Sequence, residues 1–148
     1  MTEIAFHFGV PDRLLYTSRL LRKAVAARKR VLILSDGATA NALDQRLWDF
    51  SKTDFLPHCQ SHADASLRQR SPVLLSTQLD QDPTQHDQYS VLVNLSATVP
   101  EGFAQFERLI EIVSATGEDR PLARQRWKQY TSLGYAITRH DHAQGTPS

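Results

Sequence analysis

At 148 residues, with 41% apolar and 22% charged side chains, the chain has the make-up of one globular domain around a single core. A net charge of +1 excludes a molecule-wide field that gathers nucleic acid, so any basic function has to be local. Apolar runs of only a few residues leave no membrane span or signal peptide, and the lone Cys59 suits a reducing, cytoplasmic setting.

Ile4-Ala5-Phe6-His7-Phe8 reads as a first strand, closed by Gly9 and Pro11. Asp12 supplies cap chemistry for a helix over 12–28, with Leu14, Leu21 and Val25 at helical spacing. Val31-Leu32-Ile33-Leu34 is the unbroken apolar pattern of a strand buried on both faces. After the turn Ser35-Asp36-Gly37, a second helix carries Ala40, Leu43, Leu47 and Trp48. This strand–turn–helix unit is of α/β type. Phe55-Leu56-Pro57 predicts a short or edge strand, because Pro57 cannot donate to a ladder. Residues 58–70 read as a polar loop, 73–75 as a strand, 77–88 as a polar surface loop and 89–95 as another buried strand.

Pro100-Glu101 opens a predicted third helix reaching 114, in which Glu107 and Glu111 have the i,i+4 spacing of a solvated face. A fourth helix is predicted for Asp119 to Gly134, DRPLARQRWKQYTSLG. Asp119 can cap it, Pro121 fits its first turn and Gly134 can end it. At about 100° per residue, Arg120, Arg124, Trp127, Lys128 and Thr131 share one arc. Leu122, Ala123, Tyr130 and Leu133 form an apolar stripe beside that arc. Arg126 projects into the stripe, where it is expected to snorkel or to pair with a carboxylate. An indole among three cations suits an anionic ligand with an apolar part; the plainer alternative is a solvated basic face with its Trp at the core edge. Residues 135–138 predict a last short strand and 141–148 a frayed, flexible tail. The whole predicts a single α/β domain over 1–140 with a mostly parallel central sheet flanked by helices.

Catalytic motifs are not visible in this pattern. The turn at Gly37 has one glycine and lacks both G-x-G-x-x-G and G-x-x-x-x-G-K-[ST], so a backbone cradle for pyrophosphate is missing. His58, Cys59 and His62 lack the second ligand pair that a zinc site needs, and His140 and His142 flank Asp141 in the tail. No G-x-S-x-G elbow is present. Nothing in these patterns compels an enzyme, and no metal or cofactor is expected from them.

Two further segments complete a recognisable set with the basic helix: Lys29-Arg30-Val31-Leu32-Ile33-Leu34, and L-D-x-x-L-W over Leu43 to Trp48 followed by F-x-P-H over Phe55 to His58. In this order, with L-A-R-x-R-[YW]-K-x-Y, they resemble the chi subunit of bacterial DNA polymerase III holoenzyme over nearly the whole chain. The resemblance implies a fold similar to nucleotide-binding domains without a phosphate loop, and a non-catalytic adaptor. Such adaptors link the clamp-loader complex, through the psi subunit, to the acidic C-terminal tail of single-stranded-DNA-binding protein, so that contact with DNA is indirect. It further implies a monomer or a heterodimer, and a tail site at Val113 (placed at the end of the preceding helix), Arg120, Arg124, Trp127 and Lys128. Trp127 stands where the family usually has Tyr, exchanging a phenolic hydroxyl for an indole N–H. A second surface, for psi or a repair-type helicase, is implied at Trp48 and Phe55. Two other readings stay open: a direct single-stranded nucleic-acid binder using the basic helix 120–133, and a small α/β enzyme with an unrecognised site.

Overall fold

The computed structural model describes residues 2–50, 58–60, 71–77, 79, 89–115 and 119–141, apart from the side chains of 48–50 and 59–60. The first half of the chain gives β1 (Glu3–Val10), α1 (Arg13–Ala26), β2 (Val31–Leu34), α2 (Gly37–Phe50), β3 (His58–Gln60) and β4 (Val73–Ser76). The second half gives β5 (Val91–Asn94), β6 (Arg108–Ser114), α3 (Asp119–Ser132) and β7 (Ile137–Asp141). The seven strands form one sheet in the order β3-β4-β2-β5-β6-β1-β7. Every pairing in it is parallel, as expected for an α/β chain whose strands carry continuous apolar runs.

Because side chains alternate along a strand, the two faces of the sheet have separate cores. Ile4, Phe6, Phe8, Leu32, Leu92, Leu109 and Val113 pack on one face with Ala123 and Tyr130 of α3. Val31, Ile33, Val91, Val93, Ile110 and Ile112 pack on the other with Leu21 of α1 and Leu43 and Leu47 of α2. A bulge in β1 breaks the alternation. Gly9 takes a left-handed backbone at φ 71°, the register against β6 shifts between His7 and Val10, and Val10 joins the opposite core from Phe8.

The predicted starts of α1 and α2 hold. The Asp12 carboxylate accepts from the Leu15 amide at 3.1 Å, and the Asp36 carboxylate accepts from the Thr39 amide at 2.7 Å. Both carboxyls are held below their ordinary value, first by these backbone amides.

Four expectations are corrected. The predicted third helix over 100–114 is a single 3₁₀ turn, Phe103–Gln105, followed by strand β6. Its sequence RLIEIVS is rich in β-branched residues, and its apolar residues serve both cores, which a strand can do and a surface helix cannot. Glu111, predicted on a solvated helical face with Glu107, is fully buried in the middle of that strand, whereas Glu107 is exposed. The predicted polar loop opens instead with β3, where His58 is buried. The last strand ends later than predicted, so that His140 and Asp141 belong to β7 and not to a tail. The strand predicted at 55–57 and the tail over 142–148 lie outside the described residues.

Candidate functional site

Helix α3 sits over β6 and β7, with Pro121 in its first turn and Gly134 just past its end. Gly134 takes φ 91°, and the amides of Gly134 and Tyr135 donate back to Thr131 O at 3.0 Å and Tyr130 O at 3.1 Å, closing the helix. Asp119 is the first helical residue; its carboxylate accepts from the Ser114 amide at 3.1 Å and pairs with Arg13 at 3.3 Å. This acidic first turn complements the helix dipole. The predicted apolar stripe is realised by Ala123 and Tyr130, with Leu122 half-buried. Leu133 falls outside it at 59% exposure, because the helix ends at Ser132.

Arg126 takes the expected structural part. Its Nε donates to Glu111 at 3.0 Å and its Nη1 to the carbonyl of Ala97 at 3.0 Å. Tyr130 Oη and Asn94 Nδ2 donate to the second oxygen of the same carboxylate at 2.6 and 2.9 Å. Burial pushes the Glu111 carboxyl above its ordinary range, opposed by the Arg126 charge and by these hydrogen bonds. The Tyr130 phenol is driven far up by burial and then by the Glu111 charge, so it stays a donor. The network fixes the inner face of α3 to β5 and β6, and so sets where its outer face points.

That outer face brings the predicted cations together. Arg120, Arg124, Trp127 and Lys128 line a cleft of about 240 Å³ with Phe8 of β1 and Arg139 of β7. Trp127 is half-buried; its ring lies 5.1 Å from Phe6 and 6.0 Å from Phe8 by centroid, so the aromatic floor continues into the core. The guanidinium carbon of Arg139 is 4.6 Å from the Phe8 centroid. No carboxylate is among the described residues that line it. Thr131, predicted on the same arc, turns its hydroxyl to the carbonyl of Trp127 at 2.9 Å. Arginine offers a planar fork to a carboxylate, lysine a compact charge, and the Trp–Phe floor an apolar seat for a ring. The cleft is built for an anion that carries an aromatic or aliphatic group.

Val113 needs correction. It lies on β6 and not at a helix end, and it is fully buried in the core against which Trp127 packs, behind the cleft rather than in its lining. Conversely, Phe8 and Arg139 were not singled out from the sequence. Phe8 was read only as a member of the first strand, and Arg139 joins the site because β7 pairs with β1 in the register Phe6↔Arg139 and Phe8↔Asp141. Trp48 falls in the last turn of α2, with its side chain outside the described residues, as is Phe55 entirely.

Other motif residues prove structural. Leu43 and Leu47 are core, and Asp44 Oδ1 lies 3.1 Å from the buried Nε2 of His58, tying α2 to the edge strand β3. Arg30 donates to the Ser71 carbonyl at 2.9 Å and stacks over Tyr89. No group of three His, Cys, Asp or Glu placed to hold a metal occurs among the described residues. A larger groove of about 740 Å³ runs between α1 and the amino ends of β1, β2, β5 and β6. It lies at the opposite end of the sheet from the carboxyl edge, where parallel α/β sheets place their ligands.

The family model described as "DNA polymerase III chi subunit, HolC" matches residues 1–138. A DNA polymerase III subunit chi of Pseudomonas aeruginosa is 32% identical over 146 residues, covering 95% of this chain and 96% of that protein. One of Haemophilus influenzae is 27% identical over 111 residues, 74% of each. Among solved structures, the C-terminal domain of the DEAD-box protein Dbp5 superposes with a TM-score of 0.59 at 12% identity, over 95% of this chain and 90% of that one. That likeness concerns the fold alone.

Proposed function

This chain belongs to the DNA polymerase III chi subunit family, which gives it a place in DNA replication, and from that premise we propose that it is a non-catalytic adaptor. Its basic cleft takes the acidic C-terminal tail of single-stranded-DNA-binding protein, while a second surface joins the clamp-loader complex through a psi-like subunit. The observation that carries this reading is the cleft itself. Arg120, Arg124 and Lys128 stand around an aromatic floor of Trp127 and Phe8, with no acidic side chain among the described lining residues. A tail ending in a phenylalanine with a free carboxylate, behind aspartates, matches that floor and those charges group by group.

A direct single-stranded nucleic-acid binder would use the same cations for phosphates and Trp127 for a base. The net charge of +1 and the single short basic face, however, give such a binder little to hold a run of phosphates with. Recruitment separates the two readings. The protein should bind bare single-stranded oligonucleotide poorly at physiological salt. It should gather on DNA coated with single-stranded-DNA-binding protein, and fail to do so when the coat protein lacks its last residues. Tight binding to bare DNA with a steep salt slope would establish the other reading.

The second surface is proposed at Trp48 and Phe55. Trp48→Ala or Phe55→Ala should abolish capture of a psi-like or helicase partner while tail binding survives, because separated sites act additively. If instead each variant loses roughly 3–5 kcal/mol of stability and both interactions together, the two are core residues.

A further inference from the structure

The edge strand β7 places a fourth cation at the cleft, together with a carboxylate that already holds it. In a parallel pair, facing residues point the same way, so the register Phe6↔Arg139 and Phe8↔Asp141 sets Arg139 and Asp141 on the α3 side of the sheet. His140, between them, points to the other side and stacks on His7 at 4.6 Å. Arg139 lines the cleft opposite the cations of α3, with its guanidinium over Phe8, and its Nη2 lies 3.2 Å from Asp141 Oδ2. The side chains of this pair are 53% and 32% exposed, so the pair is open to solvent and contributes little by itself.

We propose that Arg139 is a specificity residue of the peptide site, binding an aspartate upstream of the terminal residue, and that Asp141 is a resident counter-ion which that aspartate replaces. The inference rests on the tail-binding reading above and adds to it a contact from a second element. A ligand with a single carboxylate is satisfied by the Arg124 and Lys128 side of the cleft. A ligand carrying further acids along an extended chain reaches across Phe8 to Arg139. Both side chains are open to solvent, so water takes up the Asp141 carboxylate when the ligand's carboxylate replaces it on the guanidinium, and the exchange costs little.

The test titrates a synthetic peptide of aspartates ending in phenylalanine against the full chain and its variants, with Arg124→Ala as reference. Arg139→Gln should weaken binding by about three- to tenfold, and Asp141→Asn should strengthen it by a few-fold. The double variant should bind like Arg139→Gln alone. With a peptide whose upstream aspartates are changed to asparagine, the penalty of Arg139→Gln should vanish while that of Arg124→Ala persists; a merely structural role for Arg139 would penalise both peptides alike. If Arg139→Gln binds the acidic peptide like the unchanged protein while Arg124→Ala does not, the proposal falls and the tail-binding reading stands. If Arg139→Gln weakens both peptides equally, the proposal falls as well. If the unchanged protein does not bind the peptide at all, the tail-binding reading falls and takes the proposal with it.

Discussion

Glu111→Ala should lower the stability of the domain by about 3–5 kcal/mol, which for a chain of this size lowers the melting temperature by on the order of 10 °C. The substitution leaves the Arg126 guanidinium buried without its partner, and it strips an acceptor from Tyr130 and Asn94 at the same time. Taking a charge out of water is costly, and only the ion pair and its hydrogen bonds offset that cost here. Glu111→Gln keeps the shape and an acceptor oxygen, so it should cost less than Glu111→Ala. Replacing the pair together, Glu111→Leu with Arg126→Met, should recover much of the loss, because no buried charge is then left alone. The part that stays lost belongs to Tyr130, whose hydroxyl has no acceptor in the double variant, and about 1–3 kcal/mol is the expected size. Chemical denaturation of the four proteins checks this, and a loss below about 1 kcal/mol for Glu111→Ala would show that the pair is not coupled in the folded state. Because the same network holds α3 in place, Glu111→Ala should also weaken tail binding, although Glu111 lies in the core and the ligand lies outside.

Arg124→Ala and Lys128→Ala should each weaken the acidic peptide by roughly ten- to hundredfold, about 1–3 kcal/mol per lost charge-assisted contact, and leave the melting temperature unchanged. Both side chains are exposed on the outer arc of α3 and carry no core packing, so fold and binding separate cleanly. Binding by the unchanged protein should weaken as salt rises, since these charges face solvent. Trp127→Ala is a poorer probe, because the ring packs on Phe6 and Phe8 and its loss disturbs the core as well as the cleft. Calorimetric titration beside a thermal melt checks the pair. Equal binding by both variants and the unchanged chain would show that the cleft is not where the tail is held.

Local pattern was enough for the α/β class, the cap at Asp12 and the cap chemistry of the turn 35–37, the strands at 31–34, 73–75 and 89–95, and the arc of cations on the basic helix. Those features are local: a cap is set within three residues, and a helical arc follows from a fixed angle per residue. The sequence also placed Arg126 inside the apolar stripe, there to snorkel or to pair with a carboxylate. It did not say which carboxylate, because Glu111 looked like half of an i,i+4 pair on a surface helix. Only the sheet decides that β6 is central and covered on both faces, so that a glutamate in its middle is sealed in and has to be met by Arg126, Tyr130 and Asn94. The far wall of the cleft was illegible for the same reason. Phe8 and Arg139 are 131 residues apart in the chain (139 − 8), and they meet because β7 adds to β1 in one register out of several. Register is fixed by which side chains find a core to enter, and a one-residue slip would have turned Arg139 away from the cleft and His140 toward it. Local pattern reaches the elements and the faces they present; the partner across a strand pairing is a property of the assembled sheet.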